Sequence, residues 1–526
     1  MGFVETKTIK HHFKPESGLF IGILIAGLLL RAYIVSITQT PGTSDPAFYY
    51  TVARNISEGR GLVIDYVAFY FNGLIPIPHY SNDYWLPLAS ILLSLPMFIF
   101  GKTVTSALVA SVVAGFVPPL VGYFAALTFY KSKTFAIFAG ILTYFSPIQI
   151  TTSVVTDSII FFGALGSAAL FFSYRGCRNS RYFLIAAICS GLANMIRQDG
   201  ILLLVTLLLM VLITQKTIRE KALLAAEIIG IHFLVLSPLL IRGFVETHSI
   251  FSSGLSKTLF LTNYEDMYSY GKSFNWQTYR AALGIKKIID IKFKTAAFNI
   301  TQFVNFLDPL LAILGLIGLA DLIRLNKWSE IGFLSPALMF VGLGYLSYSF
   351  LWSIHGPGSF YKSLAVLMPF IAIMVVSLLS RYIASTKVLA VTVIILTAYL
   401  GYQGFRQSYQ FSTAYNQIYQ YYDQAQTLVV QDATQRNIQP QDIVIMSREP
   451  WDVNAATRLK SIMIPNNDIN TIVFVAQHYN AHYILLPGQR PQLDKIYNNT
   501  TPDPHFIYIA SVPNSDMKIF WINFNP

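Results

Sequence analysis

Over the first 404 residues the hydrophobic positions form long, nearly unbroken runs separated by short polar breaks, a pattern of buried or lipid-embedded helices rather than half-exposed ones. A helix needs about 20 mostly apolar residues to cross a bilayer. Runs approaching that length lie at 18–37, 85–101, 104–129, 134–150, 157–174, 182–197, 200–214, 220–243, 302–323, 331–352, 363–381 and 386–404. The basic residues of the connections arbitrate among them, because Lys and Arg collect on the cytoplasmic side. Counting 85–101 as a span scatters them over both sides. Its short length, with Pro87 and Pro96, suits a helix lying at the interface instead. Lys131 and Lys133, Arg175, Arg178 and Arg181, Lys216, Arg219 and Lys221, Arg324 and Lys327, and Arg381 and Lys387 then share one side with Lys7, Lys10 and Lys14. The pattern predicts eleven spans, the N-terminus cytoplasmic and the C-terminus outside. No small-residue cleavage site follows the first run, so it reads as a span and not as a signal peptide. The outer segments 38–103 and 244–301 are too long for simple connections.

After residue 404 the pattern changes. A polar helix over about 408–435 leads into short apolar runs at 442–447, 461–465, 482–487, 505–511 and 517–523, with a helical stretch at 468–479. This predicts a small α/β domain over 405–526 on the outer side, beside the two long loops. The chain reads as an α-helical polytopic membrane protein over 1–404 with a small α/β extracytoplasmic C-terminal domain. Composition agrees. Only 12% of the 526 residues are Asp, Glu, Lys or Arg, against about 25% in soluble domains, which excludes a soluble enzyme, a disordered chain and a fibre. The net charge of +11 arises wholly before residue 405, since the remainder holds 8 basic and 9 acidic side chains. A membrane surface accounts for that surplus better than nucleic acid does. Cys177 and Cys189 are the only cysteines, so no disulfide framework or thiolate metal site is available. No internal repeat appears, which speaks against a transporter built from inverted halves.

The groups able to carry chemistry sit at the outer ends of the runs. Arg31 lies in the outer half of the first span. Asp45 opens the first outer loop, followed by a helix predicted over 46–59 with apolar positions 48, 52, 53 and 56 on one side, an interfacial pattern. Asp45 before Pro46 is equally a helix cap and a rigid, ionised carboxylate. The loop ends with His79, Asp83 and Trp85. His79 and Asp83 have helical i, i+4 spacing without a third metal ligand nearby, and the aromatics read as an interfacial belt or a sugar-stacking platform. Asp157, at the second outer turn, is a cap or the mark of a water-filled cavity. Arg197 with Asp199 is a local ion pair or an anion site. A Gly/Pro-rich outer turn carries His355 and Lys362 into the next span, where they can hold an anion beside a helix start; snorkelling of Lys362 to the interface is the alternative.

The order of these features resembles the GT-C glycosyltransferase superfamily, on the side of the protein O-mannosyltransferases and the lipid A aminoarabinose transferases, over about residues 18–385. The resemblance is carried by the arginine of the first span, the acid and aromatics that open the large outer loop, Trp85-x-Pro87-Leu88, and the interface helix ending at Phe100-Gly101. The acid of the second outer turn and Gly191-Leu192-Ala193 through Arg197-Gln198-Asp199-Gly200 complete it. The resemblance implies that a monosaccharide is taken from a polyprenyl-phosphate carrier and transferred, with inversion, to an acceptor hydroxyl on the outer face. It implies Asp45 as general base, Asp157 as the group that orients the acceptor or shares a cation, and Arg197, Lys362 and His355 around the donor phosphate. Arg31, His79, Asp83, Trp85, Glu265 and Asp266 would stand around the substrates, with the 244–301 loop as a cover or as a pair of interfacial helices. No cofactor is demanded, and a divalent cation stays open. The implied partners are the lipid-linked sugar, the bilayer and a protein, glycan or lipid acceptor, with no nucleic acid. The chain departs from the family in having one acid, not two adjacent ones, in the first loop. It lacks the Trp-Trp-Asp-Tyr-Gly signature of oligosaccharyltransferases and the lysine that the aminoarabinose branch has near Asp83–Leu88. A flippase for lipid-linked sugars and a non-enzymatic membrane scaffold remain as rival readings.

Overall fold

The computed structural model describes residues 17–82, 84–248, 253–351, 360–488, 490, 492–499 and 502–525. The first helices in chain order are α1 (Ser17–Ile37), α2 (Asp45–Ser57), α3 (Leu88–Phe100), α4 (Val104–Ala114), α5 (Val117–Tyr130), α6 (Lys133–Tyr144) and α7 (Pro147–Thr152). They are followed by α8 (Ile159–Gly176), α9 (Arg181–Asn194), α10 (Gly200–Leu212), α11 (Ile218–Thr247), α12 (Ser253–Thr258), α13 (Trp276–Phe306) and α14 (Pro309–Arg324). The last are α15 (Trp328–Leu346), α16 (Phe360–Ser363), α17 (Met368–Tyr382), α18 (Thr386–Gln435), α19 (Pro450–Thr457), α20 (Ile469–His478) and α21 (Asp494–Tyr497).

Among the described residues, 6 helices are long and apolar enough to cross a membrane, or 7 if the bent pair α13 and α14 counts as one, and shorter apolar helices accompany them. The predicted runs fall on these helices with altered ends, and proline explains most of the changes. The 104–129 run is broken ahead of Pro118-Pro119, and the 134–150 run stops at Tyr144 and restarts at Pro147. The 302–323 run is divided: its first residues finish α13, the chain bends by 107°, and α14 begins at Pro309. Asp308 caps that start, its Oδ1 accepting from the backbone of Leu310 at 2.9 Å and Leu311 at 3.3 Å. The 13-residue α3 is about 20 Å long, short of the ~30 Å hydrocarbon core, and leaves Leu95, Phe98, Ile99 and Phe100 exposed.

The helix after Asp45 differs from expectation. Instead of lying half-exposed at an interface, α2 buries nearly every side chain, including Arg54 and Asn55, between α3 and α19. The polar face expected to meet headgroups meets protein: Arg54 donates to the carbonyls of Asn454 and Ala455. The last span and the polar helix after it are also one element. α18 runs 50 residues without interruption, about 75 Å, so residue 404 lies inside a continuous rod. α7 crosses this rod at Gly404, where a Cβ would come within 2.9 Å of Ile150 and 3.1 Å of the Pro147 backbone. A glycine is what that crossing admits.

The predicted apolar runs of the C-terminal region fall on strands, but the sheet they build also draws on the first loop. Its strands are β1 (Val63–Ile64), β2 (Tyr66–Val67), β3 (His79–Tyr80), β4 (Val444–Ser447), β5 (Lys460–Met463), β6 (Tyr483–Leu486), β7 (Phe506–Ser511) and β8 (Lys518–Ile522). Six of these form one sheet in the order β2-β5-β4-β6-β8-β7, parallel from β2 to β6 and antiparallel at β8 and β7. The edge strand β2 belongs to the 38–103 segment. Further ties run from Tyr70 to the Met463 carbonyl at 2.5 Å and from Tyr479 to the Ile75 carbonyl at 2.8 Å. The 244–301 segment joins the same body. The turn Tyr264–Tyr268 presents Glu265 between Arg448 and Arg490, at 2.8 and 2.7 Å, and Tyr270 bonds Asn467 at 2.8 Å. Farther along that segment α13 is kinked at Gly284, whose φ of 70° lies in the left-handed region.

Two residues expected around the substrates are structural. Arg31 is fully buried and donates to the carbonyls of Gly27 and Tyr144 and to Ser153 Oγ, with its guanidinium 4.1 Å from the Tyr144 ring centroid. It cross-links α1 to the ends of α6 and α7. His79 pairs with Ile64 in the two-stranded ribbon, and its Nε2 lies 2.9 Å from the Tyr66 carbonyl. A ring nitrogen engaged there serves the loop, not a metal. Asp83, its expected companion, and His355 lie outside the described residues.

Candidate active site

The loops close over a cavity of about 670 Å³, within the range of small-molecule sites. Its walls come from the 43–46 turn, Tyr49, Tyr84–Leu86, the α7–α8 connection, residues 196–199, the 258–268 stretch, α13, Tyr348, residues 360–362, the middle of α18, and Trp451. Three of the expected site residues meet there. Lys362 Nζ lies 2.7 Å from Asp45 Oδ2 and 2.9 Å from Asp157 Oδ2. These partners stand 317 and 205 residues away in sequence, and each arrives on a different element: the first turn of α2, the α7–α8 connection and the short α16.

Local geometry decides what each acid does. Ser44, not Asp45, is the N-cap residue of α2, and it makes no side-chain capping bond. Asp45 is the first helical residue, with its carboxylate directed at Lys362. Asp157 is split between roles. Its Oδ1 accepts from Ser158 N and Oγ, while Oδ2 takes the lysine. Burial pushes the Asp157 carboxyl up, but Lys362, Ser158 and Arg197 outweigh it and hold the group below the ordinary carboxylate range. It is therefore ionised, and a salt bridge buried this far is held together by its hydrogen bonds as much as by charge.

Behind Lys362 lies a second polar cluster. Arg197 pairs with Asp199 through Nε at 3.0 Å and a terminal nitrogen at 2.9 Å. The same carboxylate accepts from Ser363 Oγ at 2.5 Å and from the Tyr348 hydroxyl. Because Ser363 follows Lys362 directly, Asp199 anchors the backbone that carries the lysine and at the same time orients Arg197 into the cavity wall. Three carboxylates thus face two fixed cations among the described lining residues. Among the described residues, an anionic ligand that pairs with Lys362 competes with Asp45 and Asp157 for it.

An aromatic wall closes one side. Trp85 is buried, stacked on Phe48 with centroids 4.4 Å apart and edge-on to Trp451 at 6.1 Å. It belongs to the cavity and the loop core, not to an interfacial belt. Burial, helped by the nearby Asp45 and Asp157, pushes the Tyr49 phenol up, so Tyr49 remains a neutral hydrogen-bonding group. Glu265 and Asp266 do not line this cavity. Glu265 is spent on Arg448 and Arg490, and Asp266 caps its own turn and pairs with Lys272 at 2.5 Å. Their neighbours Tyr264, Met267 and Tyr268 do line it, with Leu261 and the polar Thr258, Thr295 and Asn299, so the 244–301 segment covers the cavity with uncharged groups rather than with its acids. Among the described residues no three of His, Cys, Asp and Glu are grouped to hold a metal ion. The cation between Asp45 and Asp157 is the Lys362 ammonium.

Sequence reasoning took Asp199 only as the ion-pair partner of Arg197, which it is, and passed over Tyr348, Ser363, Tyr49 and Trp451. Asp199 carried a signal, since it stands two positions from an arginine in an apolar stretch. Tyr348 carried none, lying one turn before the next loop in an otherwise ordinary span.

Comparison with known proteins agrees with this architecture. Residues 86–241 match the family described as dolichyl-phosphate-mannose-protein mannosyltransferase. No curated protein matches the chain. Among solved structures, ArnT from Cupriavidus metallidurans bound to undecaprenyl phosphate is similar at a TM-score of 0.58 and 12% identity, covering 96% of this chain and 98% of that one. The oligosaccharyltransferase of Archaeoglobus fulgidus in its apo form is similar at a TM-score of 0.56 and 14% identity, over 92% and 71%. AglB from Archaeoglobus fulgidus in complex with an inhibitory peptide and a dolichol-phosphate is similar at 0.51 and 12%, over 91% and 70%. The chain therefore shares the fold of these membrane enzymes, and residues 86–241 match the mannosyltransferase family model.

Proposed function

We propose that the protein moves a monosaccharide from a polyprenyl-phosphate carrier to an acceptor hydroxyl on the extracytoplasmic face of the membrane, inverting the anomeric centre. The observation that carries this reading is the convergence of Asp45 and Asp157 on Lys362 inside one cavity. The similar ArnT and AglB structures hold undecaprenyl phosphate and a dolichol-phosphate, which supports a donor of that class. The basic inner loops support an outward-facing site.

In the resting site Lys362 pairs with both acids. A donor phosphate, carrying negative charge, draws the ammonium towards itself, and Arg197 stands behind it as the second cation. Asp45 then loses its ion-pair partner, and its carboxylate oxygen is free to accept a proton. The acceptor oxygen attacks the anomeric carbon while its proton passes to Asp45 and the carbon–oxygen bond to phosphate breaks, the electron pair leaving with polyprenyl phosphate. A phosphate monoester whose second pKa is near 6 departs without a general acid, so the cations need only stabilise its growing charge. Asp157, ionised and hydrogen-bonded through Ser158, keeps Lys362 within reach throughout. Residues 1–404 hold the donor side of this arrangement, and 405–526 cover it from outside.

The test is to reconstitute the protein in lipid with a radiolabelled polyprenyl-phosphate sugar and an envelope extract. The expected outcome is label in an acceptor fraction together with free polyprenyl phosphate. Label that changes leaflet with the carrier intact would establish a flippase instead, and label that neither moves nor is released would leave a scaffold.

A further inference from the structure

Asp452 sits in the first turn of α19, outside the cavity lining, and is 1% exposed. Its Oδ1 accepts the backbone N–H of Ser44 at 3.2 Å. Ser44 immediately precedes Asp45 and has φ 61° and ψ −118°, a conformation that a non-glycine residue keeps only where its surroundings impose it. The rest of the turn is held as well. The Tyr419 hydroxyl donates to the Gly42 carbonyl at 2.9 Å, and Thr156 Oγ lies 2.8 Å from the Pro46 carbonyl. These bonds fasten the two ends of the turn, and the Asp452 bond fastens its strained middle.

Asp452 is an expensive choice for a purely architectural bond. Among the described residues it forms no salt bridge, and burial, with Glu449 adding to it, pushes its carboxyl well above the ordinary carboxylate range. A carboxyl buried without a cation costs stability, and such costs are retained where function needs the geometry.

We propose that Asp452 is a positioning residue for Asp45: by accepting the Ser44 N–H it fixes the strained turn that aims the Asp45 carboxylate at Lys362. Through this hydrogen bond α19 of the C-terminal region steadies the outer-loop turn that carries Asp45. The inference rests on the reading of Asp45 as the base.

Asparagine retains a carbonyl acceptor at this position, whereas leucine has similar bulk and none. Asp452→Asn should therefore leave both kcat and amide hydrogen exchange over residues 41–48 close to wild type. Asp452→Leu should raise exchange over 41–48 while exchange in β4, β5 and β6 stays unchanged. It should lower kcat about 10- to 100-fold with the donor KM unchanged, as expected when a buried donor loses its partner next to a reacting group. If leucine disturbs the sheet, Asp452→Ala makes the same deletion without added bulk. Wild-type kcat in Asp452→Leu overturns the proposal, as does an equal loss in the Asn and Leu variants. Failure of the base reading is separable: Asp45→Asn would then remain active, while the exchange signature of Asp452→Leu would still report whether the turn is clamped.

Discussion

Asp45→Asn should abolish most of the transfer while leaving donor binding intact. Asparagine preserves size and can still meet Lys362, but it cannot take a proton from the acceptor. General-base catalysis contributes about 10²–10⁴-fold, and kcat should fall by that amount with the donor KM little changed. The substitution removes one of the two charges that hold Lys362, so the ammonium becomes freer to meet phosphate, and donor affinity should hold or improve. Thermal unfolding in detergent serves as the control, because Asp45 is a quarter exposed and Asp157 still pairs the lysine. Transfer at the wild-type rate in a folded Asp45→Asn protein would remove Asp45 from the chemistry.

Lys362→Met should have the second large effect, with a different signature. The ammonium is the shared partner of two carboxylates and is itself mostly buried. Removing one partner of a buried ion pair costs about 3–5 kcal/mol, so the melting temperature should drop as well as the activity. Loss of a cation at the leaving phosphate should lower kcat by about 10²–10³-fold, and the donor KM should rise. Lys362→Arg should not restore the wild type, since a planar guanidinium cannot take the place of a compact ammonium between two carboxylates. A Lys362→Met protein with unchanged donor KM would show that the phosphate is held elsewhere.

How much of this was legible in the sequence follows from the physics of each part. The apolar runs were readable because the bilayer core offers backbone groups no partner but their own helix. Their ends were less so: Asp308-Pro309 has the form of a helix start, but nothing in the apolar run announces the steep angle to the helix before it. The strands after residue 440 were visible as short apolar segments, whereas β2, only Tyr66 and Val67, is too short for any period to show. Acids are rare in such a chain, so Asp45 and Asp157 stood out, and a lysine at the start of a span did too. That all three meet could not be read from local pattern, because it depends on three loops separated by hundreds of residues. Arg31 and His79 were misjudged for a related reason. Their partners are backbone carbonyls, which every residue carries and no sequence displays. Glu265 likewise looked available until Arg448 and Arg490 arrived from the far end of the chain.

The central claim is that the cavity between Asp45, Asp157 and Lys362 holds the sugar-phosphate of a prenyl-linked donor. It is tested most directly by photo-crosslinking. A polyprenyl-phosphate sugar carrying a diazirine on the sugar, activated on the reconstituted protein and mapped by mass spectrometry, should mark peptides from the 43–46 turn, the α7–α8 connection and residues 360–363. Labelling should be competed by unlabelled polyprenyl phosphate. Competable labelling confined to other surfaces, with these three segments unmarked, would contradict the account.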